Sequence, residues 1–352
     1  LALIGIGDMK YKNEIIFSEK ALKKIGLEPV ELKAKEGLAL INGTQFSTAY
    51  GVFCLNKLHD YFKMCDLISA MTLEALKGSK KPFLDYVNQV KPYKGQLDTC
   101  KNIISILKNS EIMDSHKNCD RVQDMYSLRC IPQVHGSARD LLYFAKKQIN
   151  TEINSVSDNP LVYSNGEVIS AGNFHAEAVG QAMDIAAIAA CSLGNISERR
   201  IFTLTRGEFG LPSFLVPDPG IYSGFMMGQV TAAALASENK GLAHPATVDT
   251  IPTGADQEDY VSMAPWAGRK LFQIVNNLEN IFAIELLCAC QAIDCREGLK
   301  PGKGTESAYN IIRSTVPELK KDRVLNLDII KIVNLIKSGK LLASVNKKIN
   351  LN

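Results

Sequence analysis

The sequence predicts a mainly α protein, a bundle of long helices with one or two small β-hairpins. Three observations carry this. Residues 34–76 contain no proline, and Leu38, Ile41, Phe46, Tyr50, Phe53, Leu58 and Phe62 recur there at helical spacing. Residues 173–202 form a second long stretch, rich in alanine and free of proline. Runs of β-forming residues are few and short.

The remaining elements follow in order. Residues 97–107 and 134–149 read as shorter helices. Residues 225–243 read as another, with the small-residue run Thr231-Ala232-Ala233-Ala234-Leu235-Ala236. Residues 260–295 give a long apolar helix with an irregularity expected at Pro265. Beyond Pro301 the helical patterns are short, as at 327–335. Small residues on several long helices let backbones approach closely, so a tightly packed bundle is expected. Two β-forming stretches, 161–163 and 167–169, flank Ser164-Asn165-Gly166, a strong hairpin signal. Residues 10–16 give a weaker one. Glycine- and proline-bearing breaks fall near 210–220 and 298–304.

Composition narrows the function. Forty Lys+Arg face 37 Asp+Glu, a net charge of +3, which leaves no electrostatic footprint for nucleic acid. The nine cysteines are odd in number and include no Cys-x-x-Cys, so free thiols in a reducing cytoplasm are expected. Asp8 and Lys10 interrupt the short apolar opening, which has no secretory pattern. The most apolar run, 185–196, is too short to span a bilayer, so no membrane is expected.

Four polar clusters interrupt apolar or helical sequence. Asn42-Gly43-Thr44-Gln45 lowers helix propensity within the first long pattern, which suits either a kink or a functional asparagine. Gln123, Tyr126 and Arg129 place a carboxamide, a phenol and a guanidinium within one short segment. An arginine there can grip a carboxylate with two parallel hydrogen bonds, which suits an amino-acid substrate. The alternative is a surface turn in which Arg129 pairs with Asp120 or Asp124. Ser157-Asp158-Asn159-Pro160 is a turn signal, and 172–177 looks like a helix start delivering Phe174 and His175 to a cavity. Asp256-Gln257-Glu258-Asp259 suits either a helix N-terminus or an inward-facing proton acceptor. No metal is expected: His116-x-x-Cys119 has a ligand spacing but no second pair. A P-loop and a Gly-x-Ser-x-Gly elbow are both missing.

Together these clusters resemble the histidine ammonia-lyase family, within the aromatic amino-acid ammonia-lyases. The resemblance runs through residues 35–45, 115–120, Val122-Gln123-Asp124, 126–130, 157–161, 172–177, Ser223-Gly224-Phe225-Met226 and Gln257-Glu258-Asp259. Their order and spacing fit the family from residue 1 to the end. Asp256 stands where the family often has Asn, and Tyr260 where it often has His.

The resemblance implies the aromatic ammonia-lyase, aspartase-like helical fold, a homotetramer, and active sites built from several subunits. It implies removal of ammonia from L-histidine to give urocanate in histidine degradation. The electrophile would be methylidene-imidazolone, made from an Ala-Ser-Gly tripeptide. That tripeptide does not occur in the 352 residues; the nearest string is Ser170-Ala171-Gly172. Residues 1–352 are therefore expected to be the central bundle and C-terminal part of such an enzyme. A missing N-terminal fragment would hold the electrophile, and the isolated chain is expected to be inactive. By the same resemblance Arg129 anchors the substrate carboxylate and Phe174 walls the pocket. Asn42 and Tyr126 hydrogen-bond the electrophile, Gln123 supports them, and Glu258 faces the imidazole or the departing ammonium. The competing expectations are a tyrosine or phenylalanine ammonia-lyase, an aminomutase, or an inactive helical scaffold.

Overall fold

Helical spacing in the sequence becomes helix in the structure, but the ends move. The structure, a computed structural model, describes residues 1–117 and 121–352. Asn118, Cys119 and Asp120 lie outside the described residues, and with them the His116–Cys119 spacing, part of the 115–120 stretch and any Arg129–Asp120 pair. The chain divides into two compact units.

The first unit comprises Leu1–Thr44 and Ser155–His175. Strand β1 (Asp8–Tyr11) pairs antiparallel with β2 (Glu14–Phe17), with Asp8 opposite Phe17 and Tyr11 opposite Glu14. Helix α1 (Ser18–Lys24) follows directly and was not anticipated from the sequence. Helix α2 spans Glu36–Ile41. Strands β3 (Leu161–Val162) and β4 (Val168–Ile169) form the second hairpin, with Gly166 at φ +88° in its turn. An asparagine–glycine turn needs a residue tolerant of positive φ, and glycine supplies it. Both expected hairpins are present.

The second unit comprises Gln45–Asn154 and Ala176–Asn352. Its helices are α3 (Gln45–Ala75), α4 (Asp85–Gln89), α5 (Lys94–Ile106), α6 (Glu111–Asp114), α7 (Tyr126–Arg129), α8 (Ile131–Glu152) and α9 (Glu177–Thr205). They continue with α10 (Met226–Leu242), α11 (Ala264–Asp294), α12 (Lys303–Thr315), α13 (Leu325–Lys337) and α14 (Lys340–Asn346). The mainly α expectation holds. Helices α3, α8, α9 and α11 pack on one another and hold the core, which includes Leu58, Phe62, Leu67, Ile274 and Phe282. Small residues permit the close crossings expected. A Cβ on Gly95 would lie 2.2 Å from the Gly136 carbonyl oxygen, so α5 and α8 meet backbone to backbone. Helices α9 and α11 are long and apolar enough to cross a membrane by length and composition, but 72% and 78% of their most apolar windows are buried in the protein. The run 185–196 is thus the middle of a 29-residue core helix, not a short segment.

Three expectations need correction. Residues 34–76 are not one helix: the chain leaves the helical path after Ile41, Gly43 adopts φ +116°, and helix resumes at Gln45. Asparagine and glycine there break the helix outright, as their low propensity allows. Pro265 causes no irregularity inside α11, because the helix begins at Ala264 and proline occupies its first turn, where no N–H bond is lost. Acidic residues 256–259 do not cap that helix, whose first turn contains none.

Candidate functional site

Tyr126 and Arg129 are the first and last residues of the single-turn helix α7, which leads into α8. Leu128, fully buried between them, roots the turn in the core. Arg129 lies over the Tyr126 ring, with its guanidinium carbon 4.6 Å from the ring centre. Such stacking holds the guanidinium flat while leaving its edge for hydrogen bonds. Arg129 Nε is buried and has no hydrogen-bond partner among the described residues. A buried charged donor left unpaired is costly, so this atom is suited to a carboxylate partner beyond the described residues. Tyr126 is 70% exposed, and Gln123 is exposed. Asp124 is buried, accepts from the Ser79 amide at 2.6 Å and lies 3.4 Å from Arg121, and among the described residues no ion pair joins it to Arg129.

Glu258 sits in the same unit, on the segment joining α10 to α11. Thr253 and Glu258 exchange backbone hydrogen bonds of 2.9 and 3.2 Å, and Thr253 Oγ1 donates to Glu258 Oε2 at 2.5 Å. Gly254, Ala255 and Asp256 all take positive φ to close that turn. Glu258 is exposed, and among the described residues no hydrogen bond, ion pair or ring contact joins it to Tyr126 or Arg129.

Asn42 and Phe174 belong to the other unit. Asn42 Nδ2 donates to Asp158 Oδ1 and to the Asn159 carbonyl, each at 3.3 Å, and Lys35 pairs with Asp158. Hydrogen bonds from Lys35, the Asn159 amide and Asn42 hold the Asp158 carboxyl below its usual range. The turn signal at 157–160 is therefore a turn pinned by Asn42. Phe174 is 37% exposed and lies three residues before the start of α9 at Glu177, so it and His175 lie ahead of the helix, not on its first turn. A cavity of about 610 Å³ in this unit is lined by Lys35, Glu36, Ala39, Asp158, Tyr163 and Asn173, among others.

A second constellation has the look of a nucleophilic triad. Cys65 Sγ lies 3.3 Å from His135 Nε2, and His135 Nδ1 lies 2.8 Å from Asp66 Oδ1. All three are fully buried, and desolvation raises the Cys65 thiol far above its usual range while lowering His135. A nucleophile needs the thiolate and an approach for substrate, and this cluster offers neither. Arg139 and Asn102 complete it by donating to Asp66 at 2.5 and 2.8 Å, which makes it a structural knot. Sequence reasoning missed these residues because the partners lie some 70 positions apart. Polar residues inside apolar helical runs were the available signal.

A sequence model of the aromatic amino acid lyases, described as "Aromatic amino acid lyase", matches residues 1–314. A histidine ammonia-lyase of Sorangium cellulosum is 47% identical over 357 residues, which cover 99% of this chain and 70% of that protein. One from Gloeobacter violaceus is also 47% identical, covering 98% and 68%. Among solved structures, histidine ammonia-lyase from Trypanosoma cruzi superposes with a TM-score of 0.91 at 39% identity, covering 99% of this chain and 67% of that one. Tyrosine aminomutase from Streptomyces globisporus gives 0.94 at 33% identity, covering 100% and 71%.

Proposed function

The chain belongs to the aromatic amino acid lyase family, and from that premise we propose that it is the larger part of a histidine ammonia-lyase, eliminating ammonia from L-histidine to give urocanate. The observation that carries this reading is the Tyr126–Arg129 pair: a guanidinium over an exposed phenol ring, its buried Nε without a hydrogen-bond partner among the described residues. That pair is built to take a carboxylate and present a hydroxyl next to it. Four relatives named histidine ammonia-lyase, at 46–47% identity over nearly the whole chain, support the substrate.

Arg129 binds the substrate carboxylate through its fork and so fixes the amino acid's orientation. Glu258, an exposed carboxylate held in a tight turn, faces the imidazole or the departing ammonium. A carboxylate suits an imidazole N–H or an ammonium better than it suits a phenyl ring. Phe174 supplies an apolar wall that keeps water from the β-carbon. Family enzymes use methylidene-imidazolone, which when present supplies an electrophilic carbon that turns the amine into a good leaving group. Tyr126 fits such a group, because it is exposed and carries a hydroxyl beside Arg129. Gln123 can support it in the same way. Asn42 offers a second amide, although its N–H groups serve the 157–160 turn in this structure.

No Ala-Ser-Gly occurs in these 352 residues, so the electrophile is proposed to come from residues outside them. A homotetramer in the cytoplasm, with sites built from several copies, completes the reading. The test is turnover: L-histidine supplied to an enzyme containing this chain should yield urocanate, read by its ultraviolet absorbance. Coumarate, cinnamate or a β-amino acid from tyrosine or phenylalanine would replace this reading with one of its relatives.

A further inference from the structure

The segment that carries Glu258, residues 243–263, is exposed throughout 251–260 and yet is gripped at both ends. Its two ends return to one point on α9. A Cβ built on Gly180 would lie 2.8 Å from Thr247 Cγ2 and 3.2 Å from the Ser262 carbonyl oxygen. One turn further along α9, Asp184 Oδ2 accepts a hydrogen bond from the Thr247 amide at 2.9 Å. From α11, Lys270 donates to the His244 carbonyl and lies 3.9 Å from Asp184 Oδ1. Both side chains are 5% exposed, and Asp184 Oδ1 makes no hydrogen bond among the described residues.

As a stabilising device this pair is poor. Two desolvated charges at 3.9 Å, with one oxygen unsatisfied, gain less than an apolar pair would. What the two charges do hold is backbone: a carbonyl and an amide at the entry of the segment. Inside it, the Val261 amide donates to Thr250 Oγ1 at 2.9 Å, and the Thr253–Glu258 pair closes the tip. A continuous set of polar contacts therefore leads from the core to the loop that presents the carboxylate.

We propose that Asp184 and Lys270 are positioning residues, a buried ionic clamp that fixes the 243–263 segment and so places Glu258 against the substrate. The proposal rests on the reading of Glu258 given above; neither clamp residue touches substrate. Hydrogen exchange on the full chain tests the clamp itself. Asp184→Ala should speed exchange of the Thr247 and Val261 amides about tenfold or more, with the central amides of α9 and α11 unchanged. Asp184→Asn, which keeps the acceptor, should restore the protection of Thr247. If Asp184→Ala does not fold, Lys270→Met carries the same expectation. In the complete enzyme the loosened loop should raise KM for L-histidine about tenfold, with a smaller fall in kcat. Unchanged exchange in a folded variant overturns the clamp. Faster exchange with unchanged kinetics overturns its positioning role. Glu258→Gln separates the two ideas: if that variant binds histidine normally, the role of Glu258 fails while the exchange result still decides the clamp.

Discussion

The guanidinium carbon of Arg129 lies 4.6 Å from the centre of the Tyr126 ring, at the opposite end of a single helical turn. The stacking means the two residues act as one unit but fail in different ways.

Arg129→Lys keeps the charge and loses the fork. Its Nε bonds to no described residue, so the melting temperature should hold. KM for L-histidine in the complete enzyme should rise about 10–100-fold, the worth of one charge-assisted hydrogen bond. Steady-state kinetics with a melting curve on the same sample checks both halves.

Tyr126→Phe keeps the ring on which Arg129 rests and removes only the hydroxyl. The expected effect is the reverse split: kcat should fall about 100-fold or more while KM changes little. A large change in KM instead would mean that the phenol acts mainly in binding.

Glu285 is fully buried and accepts from Arg200 at 2.5 and 2.9 Å, from Thr72 at 2.7 Å and from Ser197 at 2.5 Å. Glu285→Gln leaves the Arg200 charge without its counter-ion in the core. Urea denaturation should show a loss of about 3–5 kcal/mol. A loss below 1 kcal/mol would show that solvent reaches the pair.

Acid should destabilise the protein in two steps. Burial lowers His135 despite the Asp66 beside it, so the folded state refuses a proton that the unfolded chain takes below about 6.5. Burial raises Asp66, but Arg139, His135 and Asn102 outweigh it and hold the carboxyl below 3.8. In both cases the unfolded state binds more protons, so stability falls as pH falls. The first decline begins below about pH 6.5, the second below about pH 4. Urea midpoints from pH 8 down to about pH 2 measure this, and His135→Gln should flatten the first step.

Helix existence was readable from sequence because apolar residues at 3.6-residue spacing form one face that is buried against neighbouring helices. Helix ends were less so. Asn42 and Gly43 were visible as weak helix formers, but whether they would bend or break the helix depended on the turn at Asp158, more than a hundred residues away. Of the site, the Gln123–Tyr126–Arg129 segment was readable because it is local. Glu258 was readable only by resemblance, since its turn rests on three consecutive positive-φ residues that composition does not announce. Asp184 directly precedes the apolar run 185–196, and nothing local marks it as a clamp. Its partner Lys270 sits on another helix, and no local pattern links them.

The most direct test of the central claim is product identity. An enzyme containing these 352 residues and an Ala-Ser-Gly segment should be given equimolar L-histidine, L-tyrosine and L-phenylalanine, and its products separated by mass. Urocanate should dominate, and Arg129→Lys should suppress it. Arylacrylates or β-amino acids in place of urocanate would contradict the account.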